Sequence, residues 1–351
     1  MTYHDQSLQL RDQVLAALAA TETLCIRGSG SKAFLREDAA PPASRILSVS
    51  NHTGVTGYEP SELVITVRAG TPLRQVETVL AEHGQMLAFE PPGFAAGASM
   101  GGTLACGLSG PRRPYTGSAR DFMLGCRLLN GQGQILSFGG QVIKNVAGFD
   151  ITRLMAGSYG TLGVLLEVSL KVLPRPEAER TLVFDLAADT VLARMSDWSR
   201  GAWPLSALAY DGERVLMRLS GAEAALKASH RHLGGEVLAE ADRFWQQWRE
   251  QELPWFHDPA ASLWRLSLAP ASPPPELPGH WHLDWGGALR WLKTTAPAER
   301  IFAETARLGG HARCFRSAVR QPRQPPLPAP LAALQQRLRT AFDPHGVFQP
   351  D

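Results

Sequence analysis

The sequence predicts an α+β protein built as two domains with a C-terminal helix. Three observations point that way. Its 351 residues exceed what one ordinary core organises. Strand-like and helix-like stretches alternate without a clean βαβ unit. Glycine-rich segments crowd the first half, after which Pro174 and Pro176 mark a break. The expected domains are residues 1–173, a smaller α+β domain at 174–325, and a helix and tail at 326–351 that pack back on the first.

The elements follow in order. Leu8 to Ala20 carries Leu10, Val14, Leu15 and Leu18 at helical spacing and predicts an amphipathic helix. Thr23 to Ile26 reads as a short strand entering Arg27-Gly-Ser-Gly-Ser31. Ile46 to Val49 and Leu63 to Val67 have strand length and composition. Thr71 is an expected N-cap, with Pro72 at the first helical position, for a helix reaching His83. Glycines dominate from Gly93 to Gly110. Asp121 to Leu129 is strand-like, meets the turn signal Asn130-Gly131, and predicts a partner strand at Gln134 to Phe138. Asp150 to Met155 reads as helix and Leu162 to Val172 as a strongly apolar strand. The second domain predicts strand (Thr181 to Leu186), helix (Ala188 to Trp198), strands (Ser206 to Tyr210, Arg214 to Leu219) and helix (Ala222 to Leu233). Proline breaks at Ser272 to Pro278 and Pro322 to Pro330 precede a last amphipathic helix, Leu331 to Phe342.

Composition narrows the function. Apolar residues make up 44% and charged residues 19%, a globular balance. The 14 basic and 13 acidic residues before Val172, and 21 and 20 from there on, leave neither half with the excess of a nucleic-acid binder. The start is polar, which argues against a secretory signal, and no apolar run approaches a membrane span. Cys25, Cys106, Cys126 and Cys314 lie far apart, with no Cys-x-x-Cys pair for zinc or an iron–sulfur cluster. Reduced thiols in a cytoplasmic protein are expected, any membrane association being made through partner subunits.

Three glycine segments carry the chemistry. In Arg27-Gly-Ser-Gly-Ser-Lys32 the glycines let the backbone approach a ligand, and consecutive N–H groups can form an anion-binding concavity. An ordinary strand-to-helix turn is the plainer alternative. Gly28-x-Gly30-x-x-Ala33 also fits a relaxed dinucleotide fingerprint, but Val49-Ser50-Asn51 ends the next strand where that fold needs an acidic residue. The second segment, Pro91 to Gly110, is small and apolar where a flexible linker would be polar. This suits backbone packed on a flat, bulky partner, or else a tight buried turn. The third is Lys144-Asn-Val-Ala-Gly-Phe-Asp150 followed by Gly157-Ser-Tyr-Gly-Thr-Leu-Gly163. It has no Walker lysine after its glycines, which excludes a nucleoside-triphosphate loop.

Together these segments resemble the two-lobed PCMH-type FAD-binding domain of the vanillyl-alcohol oxidase superfamily. More narrowly, the chain resembles the family of FAD-binding E subunits of bacterial glycolate oxidase (glycolate dehydrogenase). The likeness is strongest from Leu24 to Lys171 and resumes at His282 to Trp291 and at Phe342 to Phe348. It implies FAD held by Arg27, Gly28, Ser29, Gly30 and Ser31 at the diphosphate. Pro91, Gly97, Ser99, Gly101, Gly102 and Thr103 would lie along the flavin and diphosphate. Asn145, Gly148, Asp150, Gly157, Gly160 and the backbone near Val164 would serve the rest of the cofactor. Covalent relatives often place a histidine in the first loop. Here Ser29, Ser31 and Lys32 stand there, so dissociable FAD is expected, with Cys106 the alternative attachment point.

Oxidation of a small 2-hydroxy acid needs a base, a cation for the carboxylate and a hydride acceptor. Arg112, Arg113 and Lys144 are candidate cations, each competing with plain surface charge. His280 and His282, on one face of an expected strand, are candidate bases; packing is the competing reading. His230 and His232 fall in a helix, where such spacing does not pair them. Family members that act alone carry a histidine-rich, Glu-containing metal motif in the second domain. No such cluster stands here, and no metal is expected. The resemblance therefore implies a sister FAD subunit and an iron–sulfur subunit as partners. A stand-alone FAD oxidase, and a structural subunit that has lost FAD, are the alternatives; Arg36-Glu37, where relatives often place another glycine, keeps the last one open. All nine tryptophans lie between Trp198 and Trp291, marking either an aromatic core or a docking face.

Overall fold

The computed structural model describes residues 4–35, 45–140, 150–257, 259 and 261–348. The chain forms two compact units. The first comprises Met1–Ser109, Gly117–Arg175 and Leu327–Asp351; the second comprises Gly110–Thr116 and Pro176–Pro326.

The first unit is organised by a five-stranded antiparallel sheet in the order Val55–Glu59, Val64–Arg68, Val164–Lys171, Met123–Leu129, Ile135–Gly139. The strand Val164–Lys171 is apolar on both sides because both its faces are buried. Leu165, Val168 and Leu170 join a core with the helices Leu73–Glu82 and Met100–Cys106. Val164 and Leu166 join a second core with Leu10, Val14, Leu24, Leu47 and Val49. A register shift opposite Arg127 and Leu128 lets Leu165 and Val168, three residues apart, face the same side. Leu24–Arg27 pairs in parallel with Arg45–Ser48.

The C-terminal residues close this second core. Val347 and Phe348 are buried in it, and the Leu24 amide donates to the Val347 carbonyl at 2.7 Å. Asp343 fixes the turn by accepting from the amides of Val347 (2.9 Å) and Phe348 (2.7 Å). The helix before it, Ala329–Phe342, buries no residue fully, and Leu331 and Leu334 stay exposed.

Several local expectations change in the structure. Thr71 does not cap the helix that begins at Leu73: its hydroxyl accepts from the Gly54 amide (3.0 Å) and donates to the Gly54 carbonyl (3.2 Å). The hairpin after Leu129 has no two-residue turn, because Asn130 Oδ1 takes the amides of Gln132 and Gln134 and holds a longer loop. The glycine-dominated stretch contains the helix Met100–Cys106.

The second unit is an eight-stranded antiparallel sheet. Its order is Glu236–Val237, Ala178–Asp185, Arg214–Gly221, Leu205–Tyr210, His280–Asp284, Leu289–Thr294, Ser262–Ser267, His311–Arg316. Helices Val191–Arg200, Glu223–Leu233 and Ala298–Arg307 supply the apolar contacts of one face. Trp245 and Trp248, from the helix Ala241–Glu250, pack on Ala207, Ala209 and Leu216 of the other. Residues 110–116 belong to this unit although sequence order places them within the first domain. Trp285 Nε1 donates to the Gly110 carbonyl at 2.9 Å. The Arg112 guanidinium pairs with Glu179 and Ser220, and Arg113 lies 4.3 Å over the Trp285 ring. No described helix is long and apolar enough to cross a membrane.

Candidate functional site

The strand Leu24–Arg27 delivers the first glycine loop, and Gly30 turns the chain at φ +81°, a conformation that glycine adopts without strain. Gly28 must lack a side chain, since a Cβ there would collide with the Ser99 hydroxyl. Ser99 in turn caps the helix Met100–Cys106 by accepting from the Gly102 amide at 3.4 Å. Gly101 lies so near the neighbouring strand end that a Cβ would sit 2.6 Å from Ala69 Cβ. Two poor helix formers therefore stand in a helix because packing, not propensity, decides there.

The third segment docks on that helix. The Gly157 amide donates to the Leu104 carbonyl (3.1 Å) and the Tyr159 amide to the Ala105 carbonyl (2.9 Å). Gly160, at φ +79°, faces Ile26, and a Cβ on it would lie 3.3 Å from Ile26 Cδ1. The three segments thus meet around one cavity of about 330 Å³. That volume falls at the small end of ligand pockets, roughly 300–1,000 Å³.

The wall of this cavity contains Arg27, Gly28, Ser29, Gly30, Ser31, Ser99, Gly101, Gly102 and Gly160 from the expected set. Gly97 adjoins it, its Cβ position being 3.7 Å from Ser29 Cβ. Thr103 is buried behind the wall, where its hydroxyl lies 3.5 Å from Lys32 Nζ. Pro91, Gly157 and Val164 are not part of the wall; Val164 pairs with Leu129 in the sheet. Asp150 stands apart as a helix cap, accepting from the Arg153 amide (3.1 Å) and pairing with its guanidinium (3.0 Å). Lys144, Asn145 and Gly148 lie outside the described residues.

The wall also contains residues that sequence reasoning did not assign to it. Lys32 is one; Val49, Ala69, Tyr159, Gly163 and Leu165 are others. Gly163, at φ +140°, was legible as part of its motif. Ala69 and Leu165 carry no signal that separates a cavity wall from a core. Cys25 and Cys106 line the cavity as free thiols.

The candidate catalytic side chains of the second unit are placed differently. His282 is 4% exposed and stacks on Trp255 with ring centroids 3.7 Å apart. Burial lowers its pKa to about 4, with Nδ1 3.0 Å from the Trp281 carbonyl. Its burial and stacking match the packing reading of this residue. His280 is exposed on the same strand. Arg112 is buried in its pair with Glu179, so it is not a carboxylate clamp. Arg113 is exposed and stacked on Trp285. Trp198, Trp245, Trp248, Trp264, Trp285 and Trp291 are buried, and the other three are half-buried, which makes the tryptophans a core.

The cavity suits an elongated, anionic, partly flat ligand. Exposed backbone and hydroxyls form the loops, and among the described residues the charged ones that line the cavity, Arg27 and Lys32, are both cations. These features fit FAD, whose diphosphate needs donors and whose ring system needs bare, close-packed backbone.

Known proteins agree with this geometry. Residues 5–139 match the family described as FAD binding domain. The chain is 47% identical over 346 residues to glycolate oxidase subunit GlcE of Escherichia coli K12, covering 99% of this chain and 97% of that protein. It is 27% identical over 273 residues to D-2-hydroxyglutarate dehydrogenase of Xanthomonas citri pv. viticola, covering 72% of this chain but 57% of that enzyme. In fold it resembles alkyldihydroxyacetonephosphate synthase, with a TM-score of 0.70, 14% identity, and coverage of 99% of this chain and 75% of that one. Identity of this extent along nearly the whole of both chains, joined to the glycine-built cavity, shows that the chain belongs to the family of the glycolate oxidase subunit GlcE.

Proposed function

We propose that this chain is the FAD-binding subunit of a complex that oxidises glycolate to glyoxylate and passes the electrons onward. The observation that carries the reading is the convergence of three glycine segments on one cavity whose charged lining, among the described residues, consists of Arg27 and Lys32. The relation to GlcE and to a 2-hydroxy-acid dehydrogenase supports a flavin oxidoreductase acting on small 2-hydroxy acids. When bound, FAD supplies a two-electron acceptor for hydride from the carbinol carbon.

The chain's own residues do the rest. Gly28 to Ser31 present amides and hydroxyls to the diphosphate, and the Met100–Cys106 helix, packed closely on Ala69, brings Gly101 and Gly102 to the wall. No histidine stands in the first loop, so FAD is held without a covalent bond. The cations left as carboxylate candidates are Lys144 and the exposed Arg113.

A partner arrangement is part of the proposal. The four cysteines are single free thiols, two of them buried, and supply no cluster-binding set. A sister flavoprotein and an iron–sulfur subunit complete the electron path, in the cytoplasm or at a membrane reached through those partners.

Co-expression with the partner subunits tests this. The expected outcome is a co-purifying complex that reduces an artificial electron acceptor with glycolate, while this chain alone holds FAD without comparable turnover. Full turnover by the isolated chain would replace the subunit reading with a stand-alone dehydrogenase.

A further inference from the structure

The helix Ala329–Phe342 carries one apolar stripe, and only the lower half of that stripe is seated. Leu331, Leu334, Leu338 and Phe342 recur at i, i+3, i+7 and i+11, which sets them along one face. Leu338 and Phe342 pack on the core of the first unit. Leu331 and Leu334, earlier on the same face, are 53% and 45% exposed, and Leu327, just before the helix, is 47% exposed. A helix of this length is marginal in water without packing, so its upper turns lack the contact that the lower turns have.

The flanks of the stripe are charged with one sign. At about 100° per residue, Arg337 falls on one side of the leucines and Arg339 on the other. Among the described residues neither guanidinium forms an ion pair, and Arg339 Nε is buried with no hydrogen-bond partner. No acidic residue occurs from Leu327 to Phe342. Pro328 and Pro330 stiffen the entry to the helix, Pro330 standing in the first turn, where a missing N–H costs nothing.

We infer, on the reading that this chain is one subunit of a complex, that the exposed half of this stripe seats a partner subunit in an apolar groove edged with carboxylates. The charges select that occupant. Pairing the helix with a second copy would bring the guanidiniums of both helices together with no carboxylate on either. A partner with an acidic rim gives Arg337 and Arg339 opposite charges while Leu331 and Leu334 are buried between them. The stiff entry and the seated lower turns hold the face in shape beforehand, which limits the ordering needed on docking.

The test is assembly with co-expressed partner subunits, followed by size-exclusion chromatography, and interferometry of the full-length chain against partner subunits purified without it. The double variant Leu331→Ser, Leu334→Ser is expected to bind about 10- to 100-fold more weakly, the scale of two half-exposed leucines lost from an interface. Arg337→Glu is expected to weaken binding about 10-fold at low salt and to approach wild type as salt rises. Both variants should keep the flavin content and melting temperature of wild type, since the altered side chains are exposed. If the double variant melts early, Leu331→Gln alone takes its place. A folded leucine variant that assembles with unchanged affinity would overturn the inference. Loss of flavin together with assembly would make the helix a support of the first unit and contradict it too. Vesicles of phosphatidylglycerol that capture wild type but not the leucine variant, with assembly intact in both, would assign the face to a lipid surface. A wild-type chain that dimerises alone through these leucines, again with assembly intact in the variant, would assign it to a second copy; either result contradicts the partner subunit. A wild-type chain that joins no partner would sink the subunit reading itself and the docking site with it.

Discussion

The two units use opposite building materials. The first surrounds its cavity with glycine, alanine and serine, so that its chemistry lies in the main chain. The second fills its sheet faces with tryptophan, and its polar side chains are spent on packing: His282 stacks on Trp255, and Arg112 pairs with Glu179. The difference teaches where function can be sought. Removing side chains opens room for a large cofactor, whereas a densely aromatic layer specifies a rigid support. Motif strength follows the same division, strong in the first unit and confined in the second to the stretch His282 to Trp291.

The comparison predicts that damage to each unit has a different readout. Trp264, fully buried against Leu266, Ile301 and Cys314, is the largest test. Trp264→Ala should cost about 3–5 kcal/mol of stability in the second unit. FAD content measured well below the melting point should be unchanged; a loss of flavin there would break the division of labour.

His282 gives the next effect. Its folded pKa, about 4, lies below its ordinary 6.5. Above pH 6.5 it is neutral in both states and contributes no pH dependence. As the pH falls from about 6.5 towards 4 the unfolded chain takes up the proton first, so stability drops by up to about 3 kcal/mol and then levels off. Denaturant unfolding of wild-type and His282→Phe proteins across that window measures it. An unaltered slope in the variant would show that His282 is not the buried neutral group.

Gly30→Val attacks the first unit without touching the aromatic core. A β-branched residue at φ +81° is strained, and its side chain would stand on the cavity wall. FAD retention should fall about 100-fold, roughly 2.7 kcal/mol, with far-ultraviolet dichroism preserved. The smallest effect is expected from Cys106→Ser, which should leave flavin content unchanged and the flavin still extractable by denaturation.

Much of the fold was legible in residue patterns. The run Leu162 to Val172 read as a strand because both of its faces are buried, and Leu8 to Ala20 read as a helix from its spacing. The helix Met100–Cys106 was not legible, because Gly101 and Gly102 disfavour helix locally and only the close approach to Ala69 and the Ser99 cap place them in one. The cavity's glycine loops were legible as motifs, while Ala69, Val49 and Leu165 reach the wall through the fold and look like any core residue. Alternation put His280 and His282 on one strand face but could not report that Trp255 covers one of them.

The central claim is that bare main chain in the first unit holds one FAD. Quantifying the flavin released when the purified full-length protein is denatured tests it most directly. The account predicts about one FAD per chain, lost in Gly30→Val and kept in Trp264→Ala. A colourless protein that takes up no FAD on reconstitution would contradict it.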